Sequence, residues 1–199
     1  MKKWLIPVLI IGAIVLIAYW MFAGVYNTAV QKEEDAKTAW SQVENAYQRR
    51  NDLIPNLVST VRGAADFERE TLSDVIEARS RATSVNVDAD NLNEAQMEQF
   101  QEAQQQVSSS LSRLLVTVER YPELRATQNF QQLQSQLEGT ENRINVERNR
   151  YNESVNNYNI YIKQFPNNII TGMYGFDDMP RYTADPGAEN APDVDFDFN

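Results

Sequence analysis

Neither cysteine nor histidine occurs in the 199 residues of this chain. The first absence removes disulfides, thiol nucleophiles and thiolate metal sites together. The second removes the commonest general base and the commonest zinc ligand. Glycine and proline are scarce, at seven each, which disfavours a turn-rich sandwich and favours long helices. Positive charge is short as well: 18 Lys and Arg stand against 28 Asp and Glu, a net charge of −10. Such a surface repels nucleic acid and anionic lipid, so no nucleic-acid partner is expected. A nucleophile would have to be Ser or Thr with Lys, or one of a carboxylate pair. The serines Ser108–Ser110 fall inside a helical pattern, and Gly172 and Gly175 lack the helix and lysine that a phosphate loop needs. The acidic terminus lacks the central glycine and distal glutamate of a calcium loop. The expectation is a non-enzyme without metal or cofactor.

Long apolar runs are confined to one place. Trp4 to Tyr26 reads WLIPVLIIGAIVLIAYWMFAGVY, without a charge. As a helix it would be roughly 33 Å long, against about 30 Å of hydrocarbon core. Trp4, Leu5 and Ile6 open it, Gly12 lies within it, and Tyr19, Trp20 and Tyr26 stand near its far edge, where amphipathic rings favour the headgroup layer. A cleaved signal peptide is the competing reading, but the run exceeds the usual apolar length and no clean small-residue cleavage site follows. The expectation is an anchor over residues 1–26. Lys2 and Lys3 on one side nearly balance Lys32 and Lys37 on the other, which tips only slightly towards a cytoplasmic N-terminus and an extracytoplasmic domain.

Beyond the anchor the apolar spacing is helical. Trp40, Val43, Tyr47, Ile54, Leu57 and Val61 recur at three- and four-residue steps. The pattern predicts one long helix, or two collinear ones, to about Ala82, with a kink or short break at Asn51–Pro55 where proline removes a donor. Asn93 is a plausible N-cap, with Gln96 completing a capping box, for a helix over 94–121. There Phe100, Val107, Leu114 and Tyr121 make a heptad line beside Met97, Gln104, Leu111 and Val118. Pro122 stops it. A last helix over about 127–164 carries Phe130, Leu137, Ile144, Tyr151, Tyr158 and Phe165 at intervals of seven, with Glu147 on the paired line. Gln104 and Glu147 are expected to face the edge of the seam. Tyr121-Pro122 and Phe165-Pro166 are expected to plug the bundle ends. The fold class is all-α: a single N-terminal transmembrane helix continuing into an antiparallel bundle of three to four long helices over 27–176, or four if Pro55 bends sharply. Residues 167–176 allow a helical turn or two. Residues 177–199, acidic with one base at Arg181, are expected to form a disordered tail. Within that tail Val194, Phe196 and Phe198 alternate with aspartates, a strand-like period that could dock on a partner's sheet edge; a solvated tail is the commoner outcome.

The best remaining site candidate is Arg49, Arg50 and Asp52 beside Pro55. Two arginines at a kink could hold an acidic partner segment, although pairing with acids of a neighbouring helix is the more ordinary role. Glu119-Arg120 and Glu147-Arg148 invite the same interpretation.

Three stretches taken together resemble the LemA family of membrane proteins: AWSQVENAYQRRNDLIPNLVSTVRG (Ala39–Gly63), ERYPELRATQNFQQLQSQLEGTENRI (Glu119–Ile144) and RYNESVNNYNIYIKQFPNNIITGMYGF (Arg150–Phe176). The resemblance implies a helical bundle held on a bacterial inner membrane by a single anchor. It implies no agreed biochemical activity; relatives are linked with membrane organisation, signalling and membrane-bound proteases. The expected function is therefore an interaction protein that self-associates as a homo-oligomer or organises other membrane proteins. Small residues at Gly12, Ala13, Ala18, Ala23 and Gly24 would let anchors approach. The alternative is a regulatory or signalling subunit of a membrane complex, in which a change at Pro55 passes from the anchor into the bundle.

Overall fold

The computed structural model describes residues 4–63, 68–85, 87–90 and 92–183. The elements are α1 (Leu5–Arg62), α2 (Arg69–Ser84), α3 (Glu94–Val118), α4 (Pro122–Arg125), α5 (Gln128–Lys163) and α6 (Asn167–Tyr174). No strand occurs among the described residues. The first half of α1 is the apolar run, and its side chains from Trp4 to Ile17 all point outward. The bundle takes hold of the same helix at Val25 and Ala29. One unbroken helix of 58 residues thus joins a membrane-length segment to the core of a folded domain.

Of the kink or short break expected at Asn51–Pro55, the break does not occur. Pro55 lies inside α1 on its exposed side. Its nitrogen has no proton for the carbonyl one turn back, that of Asn51. Arg79 of α2 replaces the missing donor, with Nε 2.8 Å from the Asn51 oxygen. The helix continues because a neighbour satisfies the group the proline orphans.

The fourth bundle helix arises elsewhere than at Pro55. The chain reverses between Arg62 and Arg69, and α2 returns along α1 where a collinear continuation was expected; Ala82 and Thr83 of α2 reach the level of Tyr47 and Asn51. Next, α3 runs alongside α1 in the same direction, as the Arg50–Gln104 contact requires. The descending α5 brings Tyr161 back to Val25. The result is an up-down-up-down bundle. Asn93 caps α3 through the reciprocal bonds with Gln96, and the Thr127 side chain caps α5.

The core has three levels. Farthest from the anchor, Ile54, Leu57, Val61, Val75, Val107, Leu114 and Phe130 bring all four long helices together. In the middle, Trp40 meets Phe100 and Tyr151 edge-on, at 5.1 and 5.2 Å between ring centres. Nearest the anchor, Ala29, Tyr158 and Ile162 close α1 on α5. Gln104 and Glu147, expected at the edge, are both buried. Glu147 stays inside because Arg143 and Arg150 reach over it, at 2.7 and 3.1 Å. Phe165 is also placed differently: it plugs nothing and is 80% exposed. Tyr121, at the opposite end, does pack against the core.

Candidate functional site

Of the residues singled out beside Pro55, Arg49 and Asp52 are exposed, whereas Arg50 turns inward and is 1% exposed. Its guanidinium donates to Ser108 Oγ (2.7 Å), to the Gln104 carbonyl (3.1 Å) and side-chain Oε1 (2.8 Å), and to Glu141 (3.2 Å). It also stands 5.0 Å from the centre of the Tyr47 ring. This is a polar clasp inside the bundle, tying α1 to α3 and α5. Arg120 pairs with Glu68 at 2.7 Å, and Arg148 lies 4.0 Å over the ring of Tyr182.

Tyr182 belongs to the segment expected to be a free tail. Its first seven residues, 177–183, instead form an extended strap along α5. The cause is a repeat on that helix: Tyr151-Asn152 recurs seven residues later as Tyr158-Asn159. Each asparagine side chain binds both the N–H and the C=O of one strap residue. Asn159 brackets Met179 at 3.0 and 2.9 Å, and Asn152 brackets Tyr182 at 2.8 and 2.9 Å. Each tyrosine donates to a strap carbonyl, Tyr158 to Asp177 at 3.0 Å and Tyr151 to Pro180 at 2.7 Å. Tyr182 then enters the core, 2.6 Å from the Tyr47 hydroxyl. Composition alone concealed this, because a helix that reads main chain needs no apolar partner sequence; the Tyr-Asn repeat was the available signal. Val194, Phe196 and Phe198 lie outside the described residues.

The strap is testable. Replacing Asn152 and Asn159 together with alanine removes four bonds to its backbone without touching the apolar core. Trypsin cleavage after the exposed Arg181 is expected to accelerate by about tenfold, the protection that ~1.4 kcal/mol of local opening represents. Mass spectrometry of a digestion time course reads this out.

Burial holds the hydroxyls of Tyr151, Tyr158 and Tyr47 above the ordinary tyrosine range. Their stabilising contribution is whole below about pH 10, where the unfolded phenols titrate. As pH rises from there towards the raised folded-state values, the unfolded chain sheds protons that the bundle retains, and stability falls. The thermal midpoint is therefore expected to drop between about pH 10 and 12, and replacing Tyr151 with phenylalanine should flatten part of that slope.

A cleft of about 1220 Å³ opens at the base of the bundle, lined by Tyr26, Glu33, Lys37, Asp90, Lys163 and the strap among others. Lys37 bridges its walls, 3.0 Å from Asp90 and 3.1 Å from Glu33. The Asp90 hydrogen bond is the chief reason its amine is held above the usual lysine range. No converging group of three metal-ligating acids is found among the described residues. The cleft lies at the point where α1 leaves its apolar run.

The sequence profile of the LemA family matches residues 39–196. Protein LemA of Metamycoplasma hominis is 25% identical over 78% of this chain and 64% of its own length. Magnetosome protein MamQ 2 of Paramagnetospirillum magneticum is 25% identical over 82% of this chain and 66% of its own. Magnetosome protein MamQ of Magnetospirillum gryphiswaldense matches to the same extent. The chain thus spans just under two thirds of the length of the curated relatives it matches.

Proposed function

The chain belongs to the LemA family, and from that premise we propose that it is a non-catalytic scaffold of the bacterial inner membrane, which self-associates and organises other membrane proteins. The observation that carries this reading is the continuity of α1: one helix is lipid-length apolar surface at one end and bundle core at the other. A domain built this way has a fixed height and axis above its membrane, which suits the presentation of side surfaces to neighbours. On this reading the bundle lies on the extracytoplasmic side and Lys2 and Lys3 on the cytoplasmic side. Open space around Gly12 and Gly24 leaves room for a second anchor to approach. Crosslinking in native membranes followed by mass spectrometry tests the proposal. Crosslinks between copies, or to a reproducible membrane-protein partner, are expected; a strictly monomeric chain that co-purifies with nothing would sink it.

The Pro55 site favours a second reading, a regulatory subunit. Here the helix from the anchor is kept continuous past Pro55 with the help of a side chain of another helix, and release of Arg79 from Asn51 would give a second state. If Pro55→Ala leaves both shape and partner crosslinks unchanged, this reading loses its support.

A further inference from the structure

We propose that α6 and the turn before it are a second membrane contact, an interfacial foot that sets Phe165, Ile169 and Met173 into the headgroup layer of the bilayer crossed by α1. The proposal rests on the anchor reading above and goes beyond it. Eight large apolar side chains after Tyr26 are exposed among the described residues, and four of them, Phe165, Ile169, Met173 and Tyr174, fall within ten residues of each other. Ile169 and Met173 are one turn apart and share a face of α6. The other face is fixed to the bundle: Ile170 and Thr171 are buried, and Thr171 Oγ1 donates to the Ile162 carbonyl at 2.9 Å. Asn167 holds the connection to α5 through the Tyr161 carbonyl at 3.2 Å. Gly175, at φ +74°, ends the helix in the left-handed conformation that glycine adopts without strain.

The place of this patch names its occupant. Tyr174 and Phe176 meet Tyr26 at steep ring angles, tilted and edge-on, at 4.8 and 5.7 Å between ring centres. Tyr26 closes the apolar run of α1, so the exposed face of α6 begins where the membrane segment ends. The thirteen residues from Gln164 to Phe176 carry no charge, so entering the interface exposes no ion to apolar surroundings. They also offer no basic cluster for anionic headgroups, so the contact is hydrophobic and zwitterionic lipid suffices. Phe, Ile and Met projecting beside an aromatic belt are the side chains that partition into this layer.

The full chain has no thiol of its own, so one introduced cysteine carries one label. Met173→Cys, Ile17→Cys in the anchor and Val116→Cys at the far end of the bundle all replace exposed side chains. Each is labelled with an environment-sensitive fluorophore and reconstituted in phosphatidylcholine vesicles with or without a lipid spin-labelled near the headgroup. At Met173→Cys the spin-labelled lipid is expected to remove about half the emission, and iodide quenching is expected to be about threefold weaker than at Val116→Cys, as befits a side chain at the headgroup boundary. Iodide quenching as strong as at Val116→Cys overturns the proposal. A label shielded from iodide yet untouched by spin-labelled lipid also overturns it, since protein then covers the face, a second copy included. Ile17→Cys, deep in the hydrocarbon on the anchor reading, is read by iodide alone: iodide shielding there with an aqueous Met173→Cys removes the foot and leaves the anchor; an aqueous Ile17→Cys removes both.

Discussion

Replacing Trp40 with alanine is expected to lower the stability of the bundle by about 3–5 kcal/mol, the range for truncating a buried aromatic. The indole is fully buried. It also joins three helices, with Phe100 of α3 and Tyr151 of α5 each edge-on to it from α1. Phe100 in turn meets Tyr47 edge-on at 5.2 Å, so the cavity left by alanine would open in a continuous aromatic layer. Such rings are rigid and the helices are held above and below, so collapse into the space is only partial. The urea midpoint of the helical circular dichroism signal, taken in a mild detergent, measures the loss. Trp20→Ala is the control: that ring is 74% exposed on the anchor, and its removal should leave the midpoint of the bundle where it was. A cost below about 1 kcal/mol at Trp40 would mean that the middle layer is not packed as described, because fully buried aromatics do not truncate so cheaply.

That layer was readable from residue spacing alone. Trp40, Phe100 and Tyr151 each fell on an apolar helical stripe, and a stripe has to be covered by another. Periodicity says nothing, however, about whether a helix continues or turns back, because the stripe on α2 has the same spacing either way. The reversal after Arg62 was therefore invisible, and Pro55 drew attention to the wrong position. A proline reads as a break only when its orphaned carbonyl is left to water, and the Arg79 donor lies 28 residues away in the chain. Polar seam positions failed for a related reason. Gln104 and Glu147 look like edge residues until partners arrive from other turns or helices, and only the fold supplies Arg50 to the first of them. The strap was lost to composition: acids and prolines suggested a solvated tail, while the asparagines that hold it sit on another element. The exposed patch at α6 and the turn before it lay in plain view in the sequence as Phe165, Ile169 and Met173, but the heptad line claimed Phe165 for the core. Pro166 had already ended the helix that would have buried it.

Replacing Arg50 with alanine is expected to cost about 3–4 kcal/mol, by opening a cavity and leaving buried acceptors unpaired. Four acceptors lose this donor, and two of them are fully buried, the Gln104 carbonyl and its Oε1. Ser108 recovers part of the first, since its hydroxyl already reaches the same carbonyl at 3.3 Å; the second stays buried and bare. Arg50→Met should recover roughly half the loss, because the stem still packs while the acceptor remains unpaired. The decisive measurement is a cycle with Glu141, whose carboxylate is 48% exposed. In the native background Glu141→Ala leaves the guanidinium inside the bundle with neutral partners only, and Arg50 Nε already makes no hydrogen bond among the described residues. That should cost about 2 kcal/mol, less than a fully buried pair because water screens the exposed acid. In the Arg50→Met background no charge is left to neutralise, and the same substitution should be nearly free. Equal costs in the two backgrounds would mean that Glu141 contributes through something other than Arg50. Unequal costs would show that the two side chains act as one unit, with the exposed acid neutralising the charge that α1 buries between α3 and α5.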